Sequence, residues 1–586
     1  MMVSNVLAWL KSSYEAYPQK IAVSDAKTQL SYETLWKSSC VAGLGICHRL
    51  DGRRNRPVFV CIGRNAESIA AFFGVLASGN FYVPVDPALP DKRLSDIYKT
   101  MQPELIITTE PLKKSLPFPK EQIVSLEELY AGKKLIGGEG PFAGSELSGG
   151  EESSAGKQLS EDEGPSAGGE LSGGEGLAAD NRLFVGNNES KSGEAFVNQV
   201  MQDSLDTDPI YCIFTSGSTG VPKGVLISHR SVIDMAEQFA QTFALDSSQI
   251  FGNQAPFDFD VSVKDIYLTI RCGASMHVLE KPLFMMPKRL IERLNQFGVN
   301  TLIWAASAMK IVSALKTFES IVPENLRLVM FSGEALPCKV LNDWRRHLPK
   351  VRFVNLYGPT EITCNCTYYI IDRRFEDSES IPAGRPFVNS GVFLLEDSSE
   401  AITEQGKTCS EAATGSGNLG KAVTQPGRVG EICVRGTCLA LGYYGMPEKT
   451  RQAFCQNPLQ PEWPERIYRT GDLGRWDEDG NLCFVGRADT QVKHMGHRIE
   501  LGELETAANS IGFITSAACL YHEQKERLCL FYQAEEQDDK AVFAELKKIL
   551  PGYMVPNKLV YLEKMPENRT GKIDRVFLRR EYLEKM

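Results

Sequence analysis

Thr215-Ser-Gly-Ser-Thr-Gly-Val-Pro-Lys-Gly224 follows the apolar, β-prone segment Ile210 to Phe214. Its small residues leave backbone amides and hydroxyls free to surround phosphate oxygens, and Lys223 adds a point charge. Such a loop suits the binding of a nucleoside triphosphate. The spacing is not that of the Walker loop, which places Gly directly before the Lys and Ser or Thr directly after it; here Pro222 precedes and Gly224 follows. Taken alone, a run of this composition also reads as an ordinary loop, so other residues must decide.

Further along, Tyr357-Gly-Pro-Thr-Glu361 follows a β-prone run and ends in a carboxylate. That order suits an aromatic ring stacked on a base and a Glu holding magnesium. Downstream come Tyr468-Arg-Thr-Gly-Asp472, Gly486-Arg-Ala-Asp489, Gly496-His-Arg-Ile-Glu-Leu-Gly-Glu503 and Thr570-Gly-Lys-Ile-Asp-Arg575. Each alone reads as a turn with solvated charges, but accident does not explain all of them in one order. Fifteen cysteines are scattered without a CxxC pair, and Cys364-Asn-Cys366 has no second cluster to complete a zinc site. They read as buried, reduced thiols.

The elements that must position these residues follow from hydrophobic period. β-Prone runs at Val58 to Ile62, Leu105 to Thr109, Tyr211 to Phe214, Leu302 to Ala306, Leu326 to Phe331 and Val351 to Leu356 alternate with helical stretches at Ala66 to Ala77, Lys288 to Phe297 and Cys338 to Arg346. This alternation predicts an α/β fold of βαβ units with a largely parallel sheet, whose ligands lie at the strand C-terminal ends. From Gly430 onward, shorter Gly-punctuated runs predict a small antiparallel subdomain, and a compact α+β tail follows Gly486.

The chain has 586 residues, 42% hydrophobic and 24% charged, which allows several domains with large cores. A net charge of −10 without a Lys/Arg cluster argues against a nucleic-acid partner. No apolar run reaches the roughly 20 residues of a membrane helix, so no membrane insertion is expected. The first ten residues lack a basic start and a long apolar block, and read as an amphipathic helix rather than a signal peptide; residence in the cytosol is expected.

Residues 137–180 differ in kind. Ser154-Ala-Gly-Lys-Gln-Leu-Ser160 and Ser166-Ala-Gly-Gly-Glu-Leu-Ser172 are repeats rich in Gly, Ser and Glu, which predicts a disordered insertion, with a partner-binding tract as the alternative. Asp397 to Pro426 reads as an enlarged loop between two strands.

Together the motifs resemble the adenylate-forming superfamily of acyl-CoA synthetases, luciferases and amino-acid adenylation domains, from about Ser13 to Arg575. Within it, Asn253-Gln-Ala-Pro-Phe-Asp-Phe-Asp-Val-Ser-Val263 is most similar to the D-alanine–D-alanyl carrier protein ligase branch, which charges a carrier for teichoic acid D-alanylation. The resemblance implies a large adenylation domain over residues 1–488 and a small mobile domain over 489–586. It implies that a carboxylate attacks the α-phosphate of ATP with magnesium present, giving an acyl adenylate, and that a thiol then takes the acyl group. By the same resemblance Thr215, Ser216, Gly217, Ser218, Thr219, Gly220 and Lys223 embrace the β/γ-phosphates, Thr360 touches the α-phosphate and Glu361 binds Mg2+. Tyr357 covers the adenine, Asn355 lies at its edge, Asp472 accepts from the ribose and Arg487 adds a donor. Lys572 bridges the substrate carboxylate and the α-phosphate or ribose oxygens. Asp489 matches the hinge, about which the small domain rotates so that Lys493 to Gly502 faces the substrate.

Asp260 matches the acidic residue that pairs with a substrate ammonium in amino-acid-activating members, which favours an amino acid over a fatty or aryl acid. The other implied pocket positions are Val261, Lys264, Ser307, Met330, Ser332, Leu356, Cys364 and Asn365. Here the chain departs from the D-alanine branch: Ser332 stands where a Cys is usual, and Lys264 and Asn365 are polar where that branch is apolar. An ammonium in the pocket would pair with an acidic or hydrogen-bonding substrate side chain; the alternative is that Lys264 reaches solvent. The expected function is loading of an amino acid, D-alanine by resemblance, onto the phosphopantetheine of a separate carrier protein, since no carrier motif follows Lys572. Alternatives are an adenylating enzyme for a more polar amino acid, an acyl- or aryl-CoA synthetase, and a non-catalytic binding protein.

Overall fold

The computed structural model describes residues 3–130, 187–217, 221–396, 420–487, 491–566 and 573–586. The repeat insertion, most of the polar stretch after Asp397, Ser218, Thr219, Gly220, Asp489 and Lys572 lie outside them.

Among the described residues the large N-terminal part carries two mostly parallel sheets. In the first, Ser275–Val278 lies between Ile21–Ser24 and Ile250–Asn253, after which come Thr301–Ala305, Leu328–Ser332 and Arg352–Tyr357, all parallel. In the second, Pro209–Thr215, Phe81–Pro84, Pro57–Val60, Leu105–Thr108 and Ile123–Ser125 run parallel, and Lys223–Ser228 returns antiparallel beside Pro209–Thr215. Strands fully buried on both faces, such as Thr301–Ala305, read as continuous apolar runs, which is why the sequence signals them well.

The helices between these sheets are buried nearly all round. Ala66–Ala77 is buried at all but one of its positions, and Asn65 caps it by accepting from the Ser68 amide at 3.0 Å, a contact worth about 1 kcal/mol. Gly43 and Gly74 let this helix and Tyr32–Arg49 touch, because a Cβ on Gly74 would stand 2.6 Å from the Ala42 Cβ. Phe72, Phe73, Tyr82 and Tyr267 fill the layer between the sheets, each contributing about 1.5–3 kcal/mol by leaving water.

An antiparallel sheet follows, with Ser390–Leu395, Val429–Gly436, Arg466–Trp476 and Phe454–Gln456 in order and Leu482–Arg487 paired to Arg466–Trp476. The polar stretch lies in the chain between the first two of these strands, and residues 397–419 of it are outside the described residues. The smaller C-terminal part is α+β: a hairpin of Gln491–His494 and His497–Glu500, the helices Leu501–Asn509 and Asp539–Ile549, and a sheet of Ile514–His522, Arg527–Ala534 and Lys558–Tyr561 around its own core.

The α/β class with a smaller C-terminal part is thus as the sequence predicts. The amphipathic start forms the helix Leu7–Ala16. Every described cysteine is free.

Candidate active site

The Ser/Gly loop joins two antiparallel strands, with Thr215 opposite Lys223. The turn is tight: a Cβ on Gly217 would stand 2.0 Å from the Val221 carbonyl oxygen, so only glycine fits. The Thr215 hydroxyl is buried without a hydrogen-bond partner among the described residues. Burial draws the Lys223 ammonium below the usual lysine value, against the pull of Glu361.

Beside the loop lies the end of strand Arg352–Tyr357. Gly358 is required there, because a Cβ would stand 2.6 Å from the Asn365 Cα, and Thr363 and Cys364 turn the chain with φ of 57° and 78°. This sharp return places Thr360, Glu361, Cys364 and Asn365 around one point. Glu361 is fully buried: one carboxylate oxygen accepts from the Tyr443 hydroxyl at 2.8 Å, the other from Arg498 Nη1 at 2.8 Å. Burial alone would raise its carboxyl, but Arg498 and then Lys223 outweigh that and bring it down to about 2. It is an ionised carboxylate at the phosphate loop. Among the described residues no three His, Cys, Asp or Glu side chains form a metal cage.

Asp472 and Arg487 face each other across neighbouring strands and are hydrogen-bonded, and the other Asp472 oxygen accepts from the Tyr357 hydroxyl at 2.6 Å. Asn355 Nδ2 donates to the Pro382 carbonyl at 2.8 Å. Tyr357, Asp472 and Arg487 are thus joined in one hydrogen-bonded group.

The implied substrate positions gather at the C-terminal ends of three parallel strands and on the helix Val261–Cys272. Asp260 precedes that helix but does not cap it; its carboxyl feels the Thr360 side chain, and Cys364 Sγ is 3.1 Å from its carbonyl oxygen. Burial raises the Asp260 carboxyl, while Lys264 and Thr360 hold it back. Lys264 is fully buried, with Nζ donating to Asn365 Oδ1 at 2.7 Å, so in this structure its ammonium does not reach solvent. Val261, Met330 and Leu356 are buried apolar side chains, Ser332 is buried with its hydroxyl unpartnered among the described residues, and Ser307 is half-buried.

The C-terminal part closes over this site. Ser216 Oγ donates to the Arg498 carbonyl at 2.8 Å and accepts from the Glu500 amide at 3.1 Å. Gly217 N donates to Glu503 Oε2 at 3.1 Å, Lys223 Nζ lies 3.6 Å from Glu500, and Glu503 also pairs with the buried Arg93. The turn at Met495 and Gly496, with φ of 52° and 82°, meets Ala305, Ser307 and Gly333. Lys493 stands 5.4 Å from the centre of the Tyr357 ring. The segment from Lys493 to Gly502 thus faces the site. Arg498, Glu500 and Glu503 lie inside a motif visible in the sequence, without individual roles; Arg93 and Tyr443 carry no signal at all.

The sequence profile of the family described as AMP-binding enzyme matches residues 10–444. A mycosubtilin synthase polypeptide of Bacillus subtilis is 30% identical over 95% of this chain, which spans only 18% of that protein. D-alanine–D-alanyl carrier protein ligase of Bacillus licheniformis is 34% identical over 64% of this chain and 71% of its own length. The fold matches holo-PA1221, described as a nonribosomal peptide synthetase protein containing adenylation and carrier domains, with a TM-score of 0.71 at 21% identity, over 99% of this chain and 84% of that one.

Proposed function

Because the chain belongs to the AMP-binding enzyme family and is an adenylate-forming, AMP-forming ligase, we propose that its acid substrate is an α-amino acid and its acyl acceptor a carrier-protein thiol. The observation that carries the amino-acid reading is Asp260. It is buried, is not spent on capping its helix, and lies close enough to Thr360 and Glu361 for both to act on its carboxyl. A buried carboxylate there stabilises a substrate ammonium, which a fatty or aryl acid lacks.

The first step needs alignment and charge neutralisation rather than a strong base, since the substrate carboxylate is already ionised. Its oxygen attacks the α-phosphorus of ATP, the bond to the bridging oxygen of the β-phosphate breaks, and pyrophosphate leaves. The Ser/Gly loop and Lys223 take up charge on the departing phosphates, Thr360 orients the α-phosphate, and Tyr357 and Asp472 place the nucleoside. The ionised Glu361 fits a hard cation: Mg2+ held by this one carboxylate together with nucleotide phosphates and water would supply charge neutralisation. Lys572 completes the first step from the C-terminal part. In the second step the carrier's thiolate attacks the acyl carbon and AMP leaves, with Lys493 to Gly502 lining the approach. We place the boundary between the two parts at residues 488/489, with Asp489 as the hinge.

D-alanine is the acid named for one relative and is the first to be tried. The test is ATP–pyrophosphate exchange with a panel of amino acids, followed by acyl transfer to a phosphopantetheinylated carrier. Exchange driven by fatty or aryl acids and by no amino acid would overturn the reading in favour of a CoA-type synthetase.

A further inference from the structure

We infer that Lys264 and Asn365 form the floor of the side-chain pocket and select an amino acid whose own side chain ends in a carboxylate. The inference rests on the amino-acid reading above and concerns only which acid is taken.

Lys264 lies one helical turn after Asp260, so both side chains project from one face of Val261–Cys272 toward the strand ends. Lysine is almost never fully buried unless paired. Here exposure is 0%, and among the described residues the ammonium has one hydrogen bond, the 2.7 Å contact to Asn365 Oδ1. An ammonium offers three donors. A second polar group at these strand ends, the Ser332 hydroxyl, is also buried without a partner among the described residues. The site therefore presents unsatisfied donors where a small apolar side chain would leave them so.

The charge balance points the same way. A substrate α-ammonium at Asp260 takes up that carboxylate and leaves the Lys264 charge to be met elsewhere. The other carboxyl within reach is Asp265. It is turned to Asn253, which donates to Asp265 Oδ2 at 2.9 Å, and burial pushes its carboxyl up to about 7, so near neutrality it is charged only part of the time. A side-chain carboxylate on the substrate restores the balance and gives the ammonium an acceptor. Alanine of either hand does neither.

The test is ATP–pyrophosphate exchange by the full chain with both enantiomers of aspartate, glutamate and alanine, and with glycine, repeated for Lys264→Met, which keeps length and removes charge. The wild type should prefer one acidic amino acid over alanine in kcat/KM by about 100-fold or more, the order expected when a polar site rejects a ligand lacking its partner group. Lys264→Met should erase most of that preference while keeping its melting temperature and AMP binding. Alanine or glycine as the best wild-type substrate overturns the inference and leaves the amino-acid reading standing. Exchange driven by a fatty or aryl acid and by no amino acid overturns both. Should Lys264→Met fail to fold, the wild-type panel decides alone.

Discussion

The Gly217 amide donates to Glu503 Oε2 across 3.1 Å, so a carboxylate of the C-terminal part occupies a backbone donor of the very loop that is to hold phosphate. Glu500 does the same at Lys223 from 3.6 Å. Two acidic groups thus stand in for anionic oxygens. On the role proposed for this loop, docking of the C-terminal part and binding of a triphosphate compete for the same donors, and a ligand that needs the undocked state binds more weakly by the fraction of molecules available to it.

Weakening the docked state should therefore tighten triphosphate binding. Glu503→Gln keeps an acceptor for Gly217 but leaves buried Arg93 without its charge partner, a costly change to the docked arrangement. We expect ATP affinity, measured by calorimetry with Mg2+, to rise about tenfold, with AMP affinity unchanged because the loop is proposed to hold the β/γ-phosphates, which AMP lacks. Equal effects on ATP and AMP would argue that Glu503 acts on the fold at large.

Arg498 and Glu361 give a second prediction, with a defined pH sign. The Glu361 carboxyl is held at about 2, below its ordinary value of 4.5, so as pH falls the unfolded chain takes up the proton first. The stabilisation is complete above about pH 4.5 and is lost on descending toward pH 2. Arg498→Met removes the largest force that lowers it, and so should flatten the dependence of the urea midpoint on pH below 4.5. The same variant should slow acyl transfer to the carrier at least tenfold while exchange stays within a few-fold, because a broken buried pair costs about 3–5 kcal/mol and this pair exists only with the C-terminal part docked. Parallel loss in both half-reactions would refute this division.

Much of the fold and part of the site are legible in the sequence, and the difference has physical causes. Strands buried on both faces and the helix Ala66–Ala77 announce themselves by uninterrupted or periodic apolar runs. The Ser/Gly loop, Tyr357 to Glu361 and Asp472 are legible because their backbone turns demand Gly, Pro and small residues in fixed order. Arg93 is not, since it meets Glu503 from 410 positions away on a helix of ordinary charged appearance. Nor is the burial of Lys264, since lysine's long stem lets it serve at the surface or inside equally well. Only packing decides.

Asp472 shares its two oxygens between Tyr357, proposed above to place the base, and Arg487. Asp472→Asn keeps the shape and loses the charge that both donors address. Hydrogen bonds to charged groups are worth about 1.5–3 kcal/mol, so KM for ATP should rise roughly ten- to hundredfold while the melting temperature falls by a few degrees at most. An unchanged KM with a large fall in melting temperature would make Asp472 a structural residue.

Lys572 and Lys223 should separate the two half-reactions from opposite sides. Both are assigned to charge on the phosphates, Lys223 from the loop and Lys572 from the C-terminal part, so either Lys223→Met or Lys572→Ala should cut pyrophosphate exchange by about 100-fold or more, the usual loss for one preorganised donor. Their behaviour with a synthetic aminoacyl adenylate should differ. The docked arrangement seen here uses Lys223, which pairs with Glu500 from 3.6 Å, so Lys223→Met should also slow thiol transfer several-fold. Lys572 is proposed to serve only the first step, so Lys572→Ala should transfer from the preformed adenylate at nearly the wild-type rate, with ATP binding still detectable by calorimetry. Equal loss of transfer in the two variants would mean that Lys572 remains at the reacting centre throughout, and the exchange of C-terminal elements over the site would have to be abandoned.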